Sequence, residues 1–188
     1  MDETQRRALL KLARESIEAE LLGRPRPALP VVLVEAEDFG GLFVTLRNAG
    51  RLRGCMGRFQ PDKGLAATVQ EIALTALDDP RFRDNPITVD ELTSIDLEIS
   101  LLSEVWRCDN PLSLEPGVHG IYIRRGSRSG CFLPQVATEQ GWDRQEFLSR
   151  CCSGKAGLPP DAWRDGDAEV YLFTADILEE QHAGDALE

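Results

Sequence analysis

Positive charge, histidine and long apolar runs are all scarce in this 188-residue chain. Lysine and arginine together number 21, against 32 aspartates and glutamates, which gives a formal net charge of -11. Such a surface repels phosphate, so nucleic-acid binding is disfavoured as the function. The longest apolar runs, such as residues 31–34, are only a few residues long, and this predicts no membrane-spanning helix.

Cysteine usage and the scarcity of histidine argue against two further kinds of site. The five cysteines are an odd number, and residues 1–7 are polar with no apolar signal segment, so we expect reduced thiols in a cytoplasmic protein. There is no CxxC pair, and the only histidines are His119 and His182, so we do not expect a structural zinc site. No glycine-rich phosphate-binding loop occurs either. We therefore predict no metal and no cofactor.

Hydrophobic periodicity predicts helices and strands joined by short turns. Asp2 with Gln5, and Asp143 with Glu146, have the spacing of helix-capping pairs. The predicted helices cover residues 2–22, 64–79 and 143–152, and the predicted strands cover 42–47, 51–57, 94–102, 118–125, 130–133 and 168–173. Short turns make neighbouring strands antiparallel, so we predict an α+β fold with helices packed on a largely antiparallel or mixed sheet.

Cys55 is the first candidate for chemistry. It lies between Gly54 and Gly57 and is preceded at alternate positions by Arg51 and Arg53. Alternation along a strand would place both arginines on the side of Cys55, where positive charge favours the reactive thiolate. We also expect the two glycines to leave this face open. The alternative interpretation is a small core cysteine, which is the usual role of an unpaired cysteine.

His119 is the second candidate, because imidazole exchanges protons near neutral pH. It is predicted to open the strand at 118–125, and with Cys55 it would form a workable nucleophile and base if the fold brings the two together. The alternative is a histidine that anchors a turn through backbone hydrogen bonds. Gln135 and Glu139 lie between Pro134 and a tryptophan at position 142, a composition found in pocket walls and also in ordered loops.

Three motifs together resemble the AMMECR1 family. Residues 52–57, with the sequence LRGCMG, resemble the LRGCIG signature of that family, with Met56 in place of isoleucine. His119-Gly120-Ile121 resembles a second motif. Residues 132–136, FLPQV, followed by Trp142, by Phe147-Leu148 and by KAGL at 155–158, resemble a third motif. Between Phe147 and Lys155 the sequence departs from the family pattern by one extra residue, around Ser153-Gly154.

The resemblance implies an AMMECR1-like α+β fold with a larger and a smaller subdomain. We therefore expect one domain over residues 1–182, followed by a flexible tail at 183–188. It also implies Memo-like (extradiol dioxygenase-like) proteins and radical SAM proteins as partners, but no settled reaction.

Two functions stay open. The first is a cysteine-dependent enzyme or enzyme component acting on a small-molecule ligand. Cys55 and His119 would be catalytic, and Arg51, Arg53, Gln135 and Glu139 would bind the substrate. The second is a non-catalytic module that uses the same surface to recognise a protein or a ligand.

Overall fold

A computed structural model describes residues 1–33 and 39–180 of the chain. The expected tail at 183–188 and His182 lie outside the described residues. The described residues divide into two compact units, one made of residues 1–33, 39–101 and 176–180, and the other of Leu102–Ala175. Each unit has its own sheet and its own apolar core.

Unit 1 contains two long helices and a sheet. Its helices are α1 (Glu3–Leu21) and α2 (Leu65–Leu77), and its strands are β1 (Gly41–Asn48), β2 (Arg51–Phe59), β3 (Ile95–Leu102) and β8 (Ala175–Glu179). Among the described residues this sheet has four strands in the order β2-β1-β3-β8, so β2 lies at one edge. The predicted capping box is present at α1, where the Asp2 side chain and Gln5 cap each other's backbone.

Apolar side chains from both helices and from alternate positions on the strands form the core of unit 1. Ile95, Leu97 and Ile99 are buried, as the alternation predicted. The helices contribute mainly Leu9, Leu12, Ile17, Val69 and Ile72, and β1 contributes Leu42, Val44 and Leu46. Burial of one sheet face under two helices holds β2 in a fixed position relative to α2.

Unit 2 is built around a second four-stranded antiparallel sheet. Its strands follow the order β4-β7-β5-β6 in the described part of the chain, where β4 is Trp106–Arg107, β5 is Gly120–Arg125, β6 is Arg128–Phe132 and β7 is Glu169–Phe173. Two helices belong to this unit, α3 (Pro134–Glu139) and α4 (Arg144–Gly154). Its core includes Ile121, Ile123, Phe147, Leu148, Cys151 and Leu172.

The structure confirms the predicted α+β class with antiparallel pairing. It differs from the sequence prediction in having two sheets and in containing β4, α3 and β8. The strand predicted at 118–125 begins at Gly120, so His119 precedes it. In the hairpin turn after β1, positive φ occurs at Ala49 and Gly50.

Candidate functional site

Cys55 lies in the middle of β2, directly opposite Thr45 of β1. It is half-buried, and the Thr45 hydroxyl donates a hydrogen bond to its sulfur, with Oγ1 and Sγ 3.4 Å apart. Thr45 itself is buried. The thiol is therefore held at a partly enclosed position beside a hydroxyl donor, and it is not part of the apolar core of unit 1.

The backbone of Cys55 is bound by two residues that follow α2. Its N–H donates to Asp79 Oδ2 at 2.9 Å, and its carbonyl oxygen accepts from Arg81 Nη2 at 3.2 Å. Asp79 also caps the short 3-10 helix Pro80–Phe82, because its Oδ1 accepts the Arg81 backbone N–H at 3.0 Å. The segment after α2 is thus hydrogen-bonded to the backbone of β2 at Cys55.

Asp79 and Arg81 form a close ion pair. Arg81 donates from Nε to Oδ1 at 3.0 Å and from Nη2 to Oδ2 at 2.5 Å. The Asp79 side chain is 1% exposed and that of Arg81 is 51% exposed. Hydrogen bonds from the Arg81 side chain, and then from the backbone N–H groups of Cys55 and Arg81, lower the pKa of Asp79 to about 2 despite its burial. The pKa of Arg81 is raised, mainly by Asp79 and to a smaller extent by the Cys55 thiol.

Arg53 is committed to a second ion pair. Its Nε and Nη2 each lie 2.9 Å from an oxygen of Glu91, and it also donates to the carbonyl oxygens of Asn85 and Pro86 at 3.1 and 3.2 Å. The side chain is 11% exposed. Arg53, followed by Asn48 and the Thr88 N–H, lowers the pKa of Glu91 to about 2. In this structure the cation on the Cys55 backbone is Arg81.

The pairing register of β2 explains the position of Arg53. Leu46 is opposite Gly54 and Arg47 is opposite Leu52, so Arg53 is an extra residue with no partner position on β1. A bulge of this kind interrupts the alternation of side chains along a strand. The prediction that Arg51, Arg53 and Cys55 share one face assumed unbroken alternation. Arg51 is exposed at the start of β2.

Gly54 and Gly57 do not keep an open face beside Cys55, which corrects the sequence-based expectation. A Cβ on Gly54 would lie 2.1 Å from the carbonyl oxygen of Ala76 in α2, and a Cβ on Gly57 would lie 2.3 Å from the Phe43 ring. Both glycines are required because other groups occupy the space of a side chain.

Phe82 connects the two ion pairs of unit 1. The guanidinium carbon of Arg81 lies 5.7 Å from the centre of its ring, and that of Arg53 lies 6.0 Å away. Both distances are within the range of a cation–π interaction. The aromatic ring therefore restrains both arginines, and the charged groups around β2 form a fixed arrangement.

His119 belongs to unit 2 and anchors a turn there. The ring Nδ1 of His119 accepts a hydrogen bond from the backbone N–H of Glu115 at 3.0 Å. The backbone N–H of His119 donates to the Glu115 carbonyl oxygen at 2.9 Å. The ring packs edge-on against Trp106, with centroids 5.7 Å apart. His119 thus makes backbone hydrogen bonds of the kind that the turn-anchoring alternative describes. Since Nδ1 is an acceptor, the neutral ring carries its proton on Nε2.

Gln135 and Glu139 also belong to unit 2, four residues apart on α3. This spacing places them on one face of the short helix. Lys155 follows α4, with its ammonium nitrogen 5.4 Å from the centre of the Phe132 ring. The predicted site residues are thus divided between the units, with Arg51, Arg53 and Cys55 in unit 1 and His119, Gln135 and Glu139 in unit 2.

Two of the other cysteines are unsuited to chemistry. Cys151 and Cys152 are both buried on α4, and burial raises the pKa of each thiol, that of Cys151 well above its ordinary value. Within residues 1–33 and 39–180, no three His, Cys, Asp or Glu side chains are placed to hold a metal ion. No helix in the same ranges has both the length and the apolar character needed to cross a membrane.

Sequence reasoning missed Asp79, Arg81 and Glu91 as members of the site. A local signal existed for Asp79, because an aspartate before a proline at the end of a helix favours a new turn capped by its side chain. Nothing in the sequence indicated that this carboxylate binds the backbone of Cys55, 24 positions away.

Comparison with known proteins agrees with the motifs. A family model described as AMMECR1 matches residues 10–178. A Methanothermobacter thermautotrophicus protein is 43% identical over 182 residues, covering 93% of each chain. A Methanopyrus kandleri protein is 43% identical over 186 residues, covering 92% of this chain and 87% of its own. The crystal structure of an uncharacterised Pyrococcus horikoshii protein matches with a TM-score of 0.88 and 35% identity, covering 97% of this chain and 94% of that one.

Proposed function

This chain belongs to the AMMECR1 family, and we propose that it acts as a cysteine-dependent enzyme or enzyme component with Cys55 as the reactive thiol. Arg81 is the cation that favours the thiolate, in place of the role first expected for Arg53. Memo-like and radical SAM proteins are the proposed partners, as the family resemblance implies, and the cytoplasm is the proposed location.

The observation that carries this proposal is the set of polar contacts around Cys55. A core cysteine packs among apolar side chains, whereas Cys55 has a hydroxyl donor on its sulfur and a guanidinium on its carbonyl oxygen. A hydrogen-bond donor and a nearby positive charge both favour the ionised form of a thiol. The half-buried position leaves part of the residue accessible to a small electrophile.

The remaining predicted residues keep their proposed roles. His119 is the proposed general acid and base, acting through Nε2 because Nδ1 is bound to the Glu115 N–H. Gln135 and Glu139 on α3, with the exposed Arg51, are proposed to bind the substrate. Arg53 is proposed to contribute to substrate binding, with its position fixed by the ion pair with Glu91.

The experiment is a pH profile of alkylation by iodoacetamide, read for each cysteine by peptide mass spectrometry. We expect Cys55 to react with a midpoint clearly below the value of about 8.5 for an ordinary thiol. The buried Cys151 is the internal control and should react only on unfolding. A Cys55 that is unreactive, or that reacts with an ordinary midpoint, would remove the catalytic proposal.

The non-catalytic module remains a second candidate because the charged groups around β2 are rigidly held. Arg53 has four hydrogen bonds, which suits a preformed recognition surface. With a purified Memo-like protein as the probe in a titration, Cys55→Ser should leave the affinity unchanged and Arg53→Glu should abolish binding. Equal loss in both variants would contradict this candidate.

A further inference from the structure

The Asp79 carboxylate joins the backbone of Cys55 to the guanidinium of Arg81. It accepts the Cys55 N–H at 2.9 Å, the Arg81 N–H at 3.0 Å and the Arg81 Nε at 3.0 Å. Arg81 Nη2 reaches both Asp79 Oδ2, at 2.5 Å, and the Cys55 carbonyl oxygen, at 3.2 Å. One buried carboxylate therefore contacts the strand and the cation at the same time.

Asp79 and Arg81 differ in how far their side chains are exposed to solvent. Asp79 is enclosed, with 1% of its side chain exposed, whereas half of the Arg81 side chain is exposed. An exposed arginine has many rotamers and loses them only where other groups hold it. The paired hydrogen bonds to Asp79 supply that restraint, because a guanidinium and a carboxylate meet in one planar geometry.

Two of the other cations on β2 have carboxylate partners of their own, whereas Arg51 is exposed at the start of the strand. Arg53 is bound to Glu91, and Arg58 is bound to Glu71. Arg58 also lies 3.5 Å from Asp62, and Lys63 pairs with Glu71. Arg81 donates to the Cys55 carbonyl oxygen and has one carboxylate partner, Asp79, beside its contact with the Phe82 ring.

We propose that Asp79 is a positioning residue for the thiol site, which holds Arg81 at Cys55 so that Asp79 acts on the thiol through Arg81. This inference rests on the proposed function, since it concerns the same cysteine. It assigns Asp79 no contact with substrate. Its consequence is that the effects of the two residues on the acidity of Cys55 are coupled and do not add.

The test is a double-mutant cycle on the alkylation profile of Cys55. Arg81→Gln should raise the midpoint, because it removes a positive charge near the thiolate. In the Asp79→Asn background the same change should move the midpoint by less than half as much, since Arg81 is no longer held there. Asp79 has a pKa of about 2 and stays ionised throughout the assay, so the profile reports the thiol alone.

If the Asp79→Asn variant does not fold, Arg81→Lys provides a second test, because Arg81→Lys leaves the buried Asp79 carboxylate in place. A lysine retains the charge but cannot donate along two parallel directions to Asp79, so we expect at least half of the shift seen in Arg81→Gln. Full recovery of the original midpoint by lysine would overturn the proposal, because charge alone would then be sufficient.

Two further outcomes would also overturn it, namely additive shifts in the cycle and an Arg81→Gln variant with no shift. These outcomes are separate from a failure of the proposed function. That failure is read from the absolute midpoint of the unmodified protein, whereas the positioning role is read from differences between variants.

Discussion

The ion pair between Glu91 and Arg53 makes the stability of unit 1 depend on acidity. The pKa of Glu91 falls from 4.5 to about 2 in the folded chain. A difference of about 2.5 pH units corresponds to about 3 kcal/mol of stability at pH 7. Solvent screens a pair whose carboxylate is 22% exposed, which lowers this toward about 2 kcal/mol.

The sign follows from the direction of the pKa change. A carboxyl group whose pKa is lowered by folding stabilises the folded state above its unfolded pKa, here 4.5, and loses that contribution as the pH falls through about 2. Glu91→Gln removes the charge at every pH. The variant should therefore be less stable by about 2–3 kcal/mol at pH 7, and by about half as much near pH 3.

Urea denaturation followed by circular dichroism between pH 3 and pH 7 measures this difference. Asp90→Asn is the matched control, because Asp90 is exposed on the same short 3-10 helix as Glu91, Val89–Glu91, and the variant loses the same charge. It should change the free energy of unfolding by less than about 0.5 kcal/mol. A Glu91→Gln deficit that is equal at both pH values, or no larger than that of the control, would refute the assigned role of the Arg53 ion pair.

Two local contacts lead to further predictions, which the same denaturation assay can check. Gly54→Ala should destabilise the protein by about 1–3 kcal/mol, because the Cβ of the new alanine would lie 2.1 Å from the Ala76 carbonyl oxygen. Gly154→Ala, in open space at the end of α4, should be neutral or stabilising, and equal losses in both would contradict the packing argument. Asp143→Ala should cost about 1 kcal/mol by removing the cap on the Glu146 N–H, whereas Asp143→Ser should restore most of it.

Elements with local signals could be predicted from the sequence. The capping box of Asp2 and Gln5 and the buried alternation of Ile95, Leu97 and Ile99 depend on neighbours within a few positions, and both are present. The elements that were missed have weak local signals. β4 has two residues, and its pairing with β7 comes from residues more than 60 positions away.

The candidate site was predictable only in part, for the same reason. The motif at 52–57 located Cys55, but the charges around it come from contacts across the fold. Glu91 is 38 positions from Arg53, and the bulge that displaces Arg53 arises from the register of β1 with β2. Alternation along one strand contains no information about either of these contacts.

The hydrogen bonds of Asp79 and Arg81 to the Cys55 backbone also have a consequence for self-association. An outer strand with unsatisfied backbone groups can recruit a strand from another molecule and begin aggregation. β2 is such an outer strand in the described part of its sheet, and at Cys55 its N–H and carbonyl groups are taken by Asp79 and Arg81. The contacts that hold Cys55 therefore also cover part of this edge of the sheet and oppose self-association there.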